Sequence, residues 1–321
     1  MSHLLRRFWL VVTLGTLVCT FGHAQGKTAK VYVGLFKENA VAVLDAAQGT
    51  LLGKIAVPTG PHGIVISRDN KTVYVSSDGS STVSVIDTAT DKVTTSIMVG
   101  KTPHGLALTP DGATLLVAGY GYDAITFVST RSNSVVGRVA VSKPHTIAVS
   151  PDGKLAYVAS QSGQALALVA VDLGDRTVRS KVPLTSVPRA LNFSPNGKQL
   201  YFTVAGVDAV QVLDVSTNRI TKEVPVGESP HQVVFLPDGN LALVVSQGPG
   251  TLSLINPANA SVRNTIPVGK MPHWIAFSGD ASTAWVSNEG SGDVSVVDLE
   301  TDSVKTFAAG DGPRKLVIQS Y

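Results

Sequence analysis

Short runs of apolar residues, many β-branched, alternate with polar turns along almost the whole chain. The stretch after Pro61 shows the unit: Gly63 to Ser67 is an apolar run ended by Arg68-Asp69-Asn70, and Thr72 to Ser76 follows, ended at Asp78-Gly79. Thr82 to Asp87 then sets Val83 and Val85 against Ser84, and Val93 to Val99 comes after the polar Thr88 to Asp91. Runs of this length and composition, bounded by Gly, Pro, Asn and Asp, predict four strands. The turn behind the first strand recurs as Pro110-Asp111-Gly112, Pro151-Asp152-Gly153, Pro195-Asn196-Gly197 and Pro237-Asp238-Gly239. Proline presets the negative φ that opens such a turn and glycine accepts the positive φ that closes it. No window carries a helical period of useful length.

The four-strand pattern repeats. Segments beginning at a proline read PHGIVIS from Pro61, PHGLALT from Pro103, PHTIAVS from Pro144, PRALNFS from Pro188, PHQVVFL from Pro230, PHWIAFS from Pro272 and PRKLVIQ from Pro313. The steps between them are 42, 41, 44, 42, 42 and 41 residues. Seven four-stranded units of this period predict an all-β fold, a seven-bladed β-propeller. The chain ends support closure of the ring. Val31 to Val33, Ala40 to Asp45 and Leu51 to Val57 are a second, third and fourth strand without a first, and Lys315 to Gln319 is a first strand without the rest. Paired, they complete one blade from both termini, whereas an open solenoid would need polar caps.

These repeats resemble the YVTN-type β-propeller proteins. Ser150-Pro151-Asp152-Gly153 matches the family's SPDG turn, and Thr82-Val83-Ser84-Val85-Ile86-Asp87-Thr88-Ala89-Thr90 its TVSVIDTAT segment. The Tyr-Val-Thr-Asn element is altered to Tyr74-Val75-Ser76-Ser77 and Trp285-Val286-Ser287-Asn288. The resemblance implies that the first strand of each unit lines the central channel. It implies little about function, because one fold carries many activities.

The N-terminus has the layout of an export signal. Arg6 and Arg7 precede the uncharged apolar stretch Phe8 to Cys19, and Gly22-His23-Ala24 offers a cleavage site after Ala24. The stretch is short for a membrane span of ~20 residues, and Val18 before Cys19 is too large for a good lipoprotein signal. The expected organisation is therefore a signal peptide over residues 1–24 and one propeller domain over 25–321, in the periplasm or secreted, monomeric and with no membrane span after cleavage. Removing the signal takes away Cys19, the one cysteine, and two of the 26 Lys and Arg, so the net charge falls from +3 to +1. A nearly neutral body lacks the basic footprint of a general nucleic-acid binder.

Composition then singles out one column of the repeat. Of the seven histidines, His3 and His23 leave with the signal, and the remaining five all follow a repeat proline. Around the ring that position reads His62, His104, His145, Arg189, His231, His273 and Arg314, while the next reads Gly63, Gly105, Thr146, Ala190, Gln232, Trp274 and Lys315. Duplication of a founding histidine would produce such a column without any ligand. The drift of the neighbouring column, against two donor types in this one, favours a site at a wet channel mouth. With inner strands about 10 Å apart, imidazole nitrogens would stand roughly 5 Å from the axis, too far for five to share one ion. Neighbouring members of the set His62, His104, His145, His231 and His273 could hold a divalent metal off-axis, or the ring could surround a larger, haem-like ligand. Arg189 and Arg314, permanently charged, favour an anion. The loops between second and third strands add Lys37-Glu38, Asp78, Tyr120-Gly121-Tyr122-Asp123, Asp208 and Asn288-Glu289 as further candidates, and Trp274 could stack on a planar ligand.

No G-x-S-x-G, P-loop, C-x-x-C or C-x-x-C-H motif is present. The sequence therefore points to a non-catalytic binding protein or interaction scaffold, whose His/Arg channel mouth takes a small anionic or metal-associated ligand or a periplasmic protein. The alternative is a metal- or cofactor-dependent periplasmic enzyme, a lyase or oxidoreductase. Streptogramin lyases and copper or haem d1 reductases are similar to this chain in layout and use channel histidines.

Overall fold

The computed structural model describes residues 29–319; the expected signal peptide over residues 1–24 lies outside them. Among the described residues the chain forms twenty-eight strands in seven four-stranded antiparallel sheets. The unit read from sequence becomes strands Pro61–Ile66, Thr72–Ser77, Thr82–Asp87 and Lys92–Met98, hydrogen-bonded in that order. The first strands of the seven units are Pro61–Ile66, Pro103–Leu108, Pro144–Val149, Pro188–Phe193, Pro230–Phe235, Pro272–Phe277 and Pro313–Ile318. Each packs against the next, and Pro313–Ile318 against Pro61–Ile66 completes the circle.

The closing blade is built from both ends of the chain, as the sequence predicts. Pro313–Ile318 pairs with Lys30–Leu35 in the register Val31↔Ile318, Tyr32↔Val317 and Val33↔Leu316. Ala40–Asp45 and Leu51–Ala56 complete the sheet.

Burial explains the strand patterns. Second and third strands are covered on both faces by neighbouring blades and are nearly continuous in apolar residues, as in Tyr32, Val33 and Leu35 or Leu115, Leu116 and Val117. Seven apolar clusters result, each shared by two adjacent blades. A fully buried Val, Leu or Phe contributes about 1.5–3 kcal/mol, so the blade interfaces hold the ring together. Outer strands are mostly exposed, with one buried anchor such as Ile97, Val224 or Ile266. Their outer edges carry lysine and arginine, which discourages edge-to-edge pairing.

The repeated polar motifs close turns and join blades. In the SPDG turn, Ser150 Oγ donates to Asp152 Oδ1 at 2.6 Å and accepts from Leu155 N at 3.0 Å, while Gly153 sits at φ 71°. In the VIDTAT-like turn Asp214 Oδ1 accepts from Thr217 N at 2.9 Å. The buried Tyr32 hydroxyl donates to Asp91 of the next blade at 2.7 Å, and Tyr157 makes the matching bond to Asn218.

A β-bulge marks every blade at the same place. Pro61 pairs with Ser77 and Ile64 with Val75, so three steps along the first strand oppose two on its partner. The same shift follows Pro103, Pro144, Pro188, Pro230, Pro272 and Pro313. A bulge leaves its extra residue out of the ladder and re-aims the side chains beside it. Here it falls on the column of histidines and arginines.

Candidate functional site

The residue after each repeat proline is the second residue of the inner strand, not part of the loop before it. This corrects the picture of a wet mouth: His62, His104 and His273 are only 5%, 8% and 4% exposed, while His145, His231, Arg189 and Arg314 are half-buried. The bulge turns the histidines into the channel, where neighbouring rings pack against each other at a tilt of 36–38°. Ring centroids lie 3.7 Å apart for His62 and His104, 4.0 Å for His104 and His145, and 4.1 Å for His231 and His273. Across the channel His62 lies 6.0 Å from His145 and 5.8 Å from His273. The expected separation from the axis is therefore too large, because it assumed radial side chains on straight strands. Rings packed this closely leave no room for a macrocycle between them.

The histidines are held by the backbone of the following blade. Nδ1 of His104 donates to the His145 carbonyl at 3.0 Å, Nδ1 of His145 to the Arg189 carbonyl at 3.1 Å, and Nδ1 of His231 to the His273 carbonyl at 3.1 Å. A carbonyl can only accept, so the proton sits on Nδ1 and Nε2 keeps its lone pair. Other carbonyls of the same column are gripped from the blade before: Thr203 Oγ1 donates to the His231 carbonyl at 2.5 Å, and Ser76 and Ser287 bind those of His104 and Arg314. Nδ1 of His62 and Nδ1 of His273 are buried without a hydrogen-bond partner. Burial, with the charges of neighbouring groups, holds all five imidazoles below their ordinary range, His145 and His231 at about 3.

A second ring of side chains, from the residues just after each second strand, lies above the histidines. Phe36 meets His62 edge-on at 6.3 Å, and Tyr120 lies 6.1 Å from His104. Gln161 Nε2 donates to the Pro188 carbonyl at 2.8 Å. Two members of this ring are acids. Glu289 accepts from Arg314 Nε at 2.9 Å, and that guanidinium also covers the Phe36 ring at 3.4 Å. Arg189 instead donates to Ser229 Oγ at 2.9 Å and the Pro230 carbonyl at 3.4 Å. Glu289, one of the loop candidates, thus neutralises Arg314 and leaves Arg189 as the ring charge that could favour an anion.

Asp78 is the other acid. Its Oδ2 lies 3.9 Å from His104 Nε2, and its Oδ1 is buried with no hydrogen-bond partner. Burial lifts its pKa to about 6, against the pull of Arg314 and Lys315. One potential ligand atom from each of His62, Asp78 and His104 lies within 4.8 Å of the others. Among the described residues this is the group placed to share an ion, and it joins two residues of the predicted column to one of the predicted loops. His145, His231 and His273 flank it without an acidic partner.

The remaining loop candidates have local structural roles. Asp123 Oδ1 accepts from Lys143 N at 2.8 Å and Asp208 Oδ1 from Ser229 N at 3.0 Å, pinning residues that turn left-handed, at φ 42° and 56°. Glu38 pairs with Lys54 at 2.5 Å and accepts from Asp311 N, and Lys37 reaches Asp311. Tyr122 bonds Thr126, and Asn288 bonds Asp293 and Ser295.

Below the histidines lies the column that sequence reasoning used only as a measure of drift. Thr146, Gln232, Trp274 and Lys315 line a channel cavity of about 210 Å³ with Leu106 and Asn192. The face of Trp274 is covered by the Lys315 ammonium, with Nζ 4.0 Å from the ring centroid. A lysine following the last ring position was the signal available, but nothing local revealed that the strand would bury it.

The YNCE-like beta-propeller family model matches residues 9–107, in keeping with the repeat resemblance. No curated protein matches the chain. Among solved structures, Kuenenia stuttgartiensis hydrazine synthase is similar at a TM-score of 0.78 and 18% identity, over 85% of this chain and 93% of that one. A functionally unknown protein from Desulfotomaculum acetoxidans gives 0.77 and 14%, over 91% and 99%. The Pseudomonas aeruginosa periplasmic gluconolactonase gives 0.73 and 20%, over 91% and 99%. At these identities the likeness is one of fold.

Proposed function

We propose that this seven-bladed propeller, of the YVTN and YNCE-like type, is an exported, non-catalytic metal-binding protein that holds one divalent transition-metal ion through His62, His104 and Asp78. The observation that carries the reading is the meeting of these three groups, in which buried Asp78 Oδ1 and His62 Nδ1 lack partners. Native proteins rarely leave buried polar atoms unsatisfied, and each costs about 1–3 kcal/mol. An ion held by these groups would compensate the burial of the Asp78 carboxylate, whose Oδ2 faces His104 Nε2 at 3.9 Å. The donor chemistry suits zinc and its first-row neighbours, which take imidazole and carboxylate at about 2.0–2.2 Å. Drawing three ligand atoms within 4.8 Å of each other onto such an ion asks for only a small inward shift.

The backbone bond from His104 Nδ1 supports the same reading, because a fixed tautomer presents Nε2 ready to ligate. A neutral imidazole needs no deprotonation on binding. An anion, by contrast, would meet five neutral histidines, an Arg314 already paired with Glu289, and Arg189 as the one ring charge without an acidic partner among the described residues. Three protein ligands leave coordination positions open, as required of a protein that accepts and releases an ion or holds a metal-associated ligand.

The test is calorimetric titration of the full chain, without a histidine tag, with Zn(II) and Cu(II). The expected result is one ion per chain, with affinity falling at least tenfold in His104→Ala and in Asp78→Asn, and less in His231→Ala. Failure of both metals to bind, or binding indifferent to His104→Ala and Asp78→Asn, overturns the proposal.

A further inference from the structure

The lysine beneath the histidine layer presents a separate chemical problem. Lys315 is 3% exposed, and among the described residues its Nζ makes no hydrogen bond or ion pair, Asp78 acting on it only as a charge at longer range. Its nearest described partner is the face of Trp274, 4.0 Å from the ring centroid. A cation–π contact offsets only part of what an ammonium loses on leaving water. Burial correspondingly pushes the amine down to about 7.

Lys315 does not face a solid core. It lines the cavity of about 210 Å³ with Trp274, Gln232, Asn192 and Thr146, and the rest of the wall includes Leu106, Leu108, Ile147, Val149 and Leu191. Gln232 is oriented: its Oε1 accepts from the Ile275 backbone N–H, which assigns the amide Nε2 to the other side, as a donor without a described partner. Thr146 spends its hydroxyl proton on the Arg189 carbonyl at 2.7 Å. The cavity lining therefore combines an ammonium, an amide donor, an indole and aliphatic side chains.

We propose that this cavity is a second ligand site, taking a small organic monocarboxylate whose carboxylate bonds Lys315 Nζ and Gln232 Nε2 while its hydrocarbon tail lies against the aliphatic wall and Trp274. The carboxylate supplies the acceptor that Lys315 lacks and a charge opposite to the ammonium, and charge-assisted bonds of this type are the strong ones. A phosphate or sulfate would leave much of the aliphatic wall unused. The cavity holds about as much as seven waters, each filling ~30 Å³, which limits the ligand to roughly the size of butyrate or benzoate. The site takes no contact from His62, Asp78 or His104, and its link to the metal reading is the charge that Lys315 and Asp78 exert on each other.

Butyrate and benzoate are the probes, with butyramide and benzamide as uncharged controls, titrated calorimetrically into the full chain in metal-free buffer. Saturable binding of the acids at about 1 mM or tighter, near −4 kcal/mol, and none of the amides, is expected. Lys315→Met and Lys315→Gln should each weaken it at least tenfold, while His104→Ala, which removes a proposed metal ligand, should leave it unchanged. Loss of metal binding with retention of carboxylate binding thus separates the two sites. Equal binding of acids and amides, no binding of either acid, or binding that survives both lysine substitutions overturns the proposal.

Discussion

The Nε2 atom of His104 lies 3.9 Å from an oxygen of Asp78, although the two residues sit in different blades. Asp78 follows the second strand of one blade and His104 opens the inner strand of the next. The contact crosses an interface that the ring itself creates, and it joins a titrating acid to an imidazole held neutral.

Metal affinity should therefore carry the titration of Asp78. Ligation requires the carboxylate, and burial places its pKa at about 6. Affinity should fall as pH drops from 7 to 5, approaching tenfold per pH unit below the pKa. His62 and His104 resist protonation as pH falls, since burial holds both well below 6.5. Asp78→Asn should bind more weakly at pH 7 and show little change down to pH 5. A slope equal to that of the parent protein in Asp78→Asn would assign the titrating proton elsewhere.

Lys315 should limit stability at neutral pH. Its folded pKa of about 7 lies below its ordinary value of 10.5, so between those values the unfolded chain binds a proton that the folded one does not. Stability should then rise with pH across that window. Lys315→Met removes the buried charge at similar length and should raise the melting temperature at pH 7 by several degrees, the gain reflecting on the order of a few kcal/mol. The difference between the two proteins should shrink as pH approaches 10. A destabilised Lys315→Met would show that the ammonium has a stabilising partner in the folded protein.

Acid should unfold the ring through its histidines. Each is neutral when folded and protonates near 6.5 when unfolded, so stability is present above that value and lost as pH falls toward the folded pKa, about 3 for His145 and His231. The slope is at most about 1.4 kcal/mol per pH unit for each histidine. Denaturant melts between pH 7 and 4 should show this loss, and His231→Gln should reduce it. An unchanged slope in the variant counts against a buried neutral His231.

Closure is tested by removing residues 313–321. The deletion takes the inner strand from the closing blade and exposes the edge of Lys30–Leu35, which now pairs with it. The truncated protein should melt well below the full chain and tend to self-associate through the bare edge. Identical melting and a clean monomer would contradict the observed pairing.

The repeat steps, the turn motifs and the two incomplete chain ends determined the seven blades, the four strands of each and the closing pair before any coordinates. These signals are local: Ser150, Asp152 and Gly153 close their turn with bonds spanning five residues or fewer, and alternation reports burial one strand at a time. The histidine column was legible for the same reason, being one position of a repeat. What the column does was decided by tertiary structure. The bulge beside each proline is a property of strand pairing, and it turned an expected open mouth into a stack of buried rings. Asp78 is 26 residues from His104 in the chain and reaches it only because one blade's loop overhangs the next blade's inner strand. Lys315 read as drift because its burial depends on closure by the last strand. Blade-internal chemistry repeats and so can be read from the chain, whereas the charges meeting in the channel come from different blades, and only the closed ring brings them together.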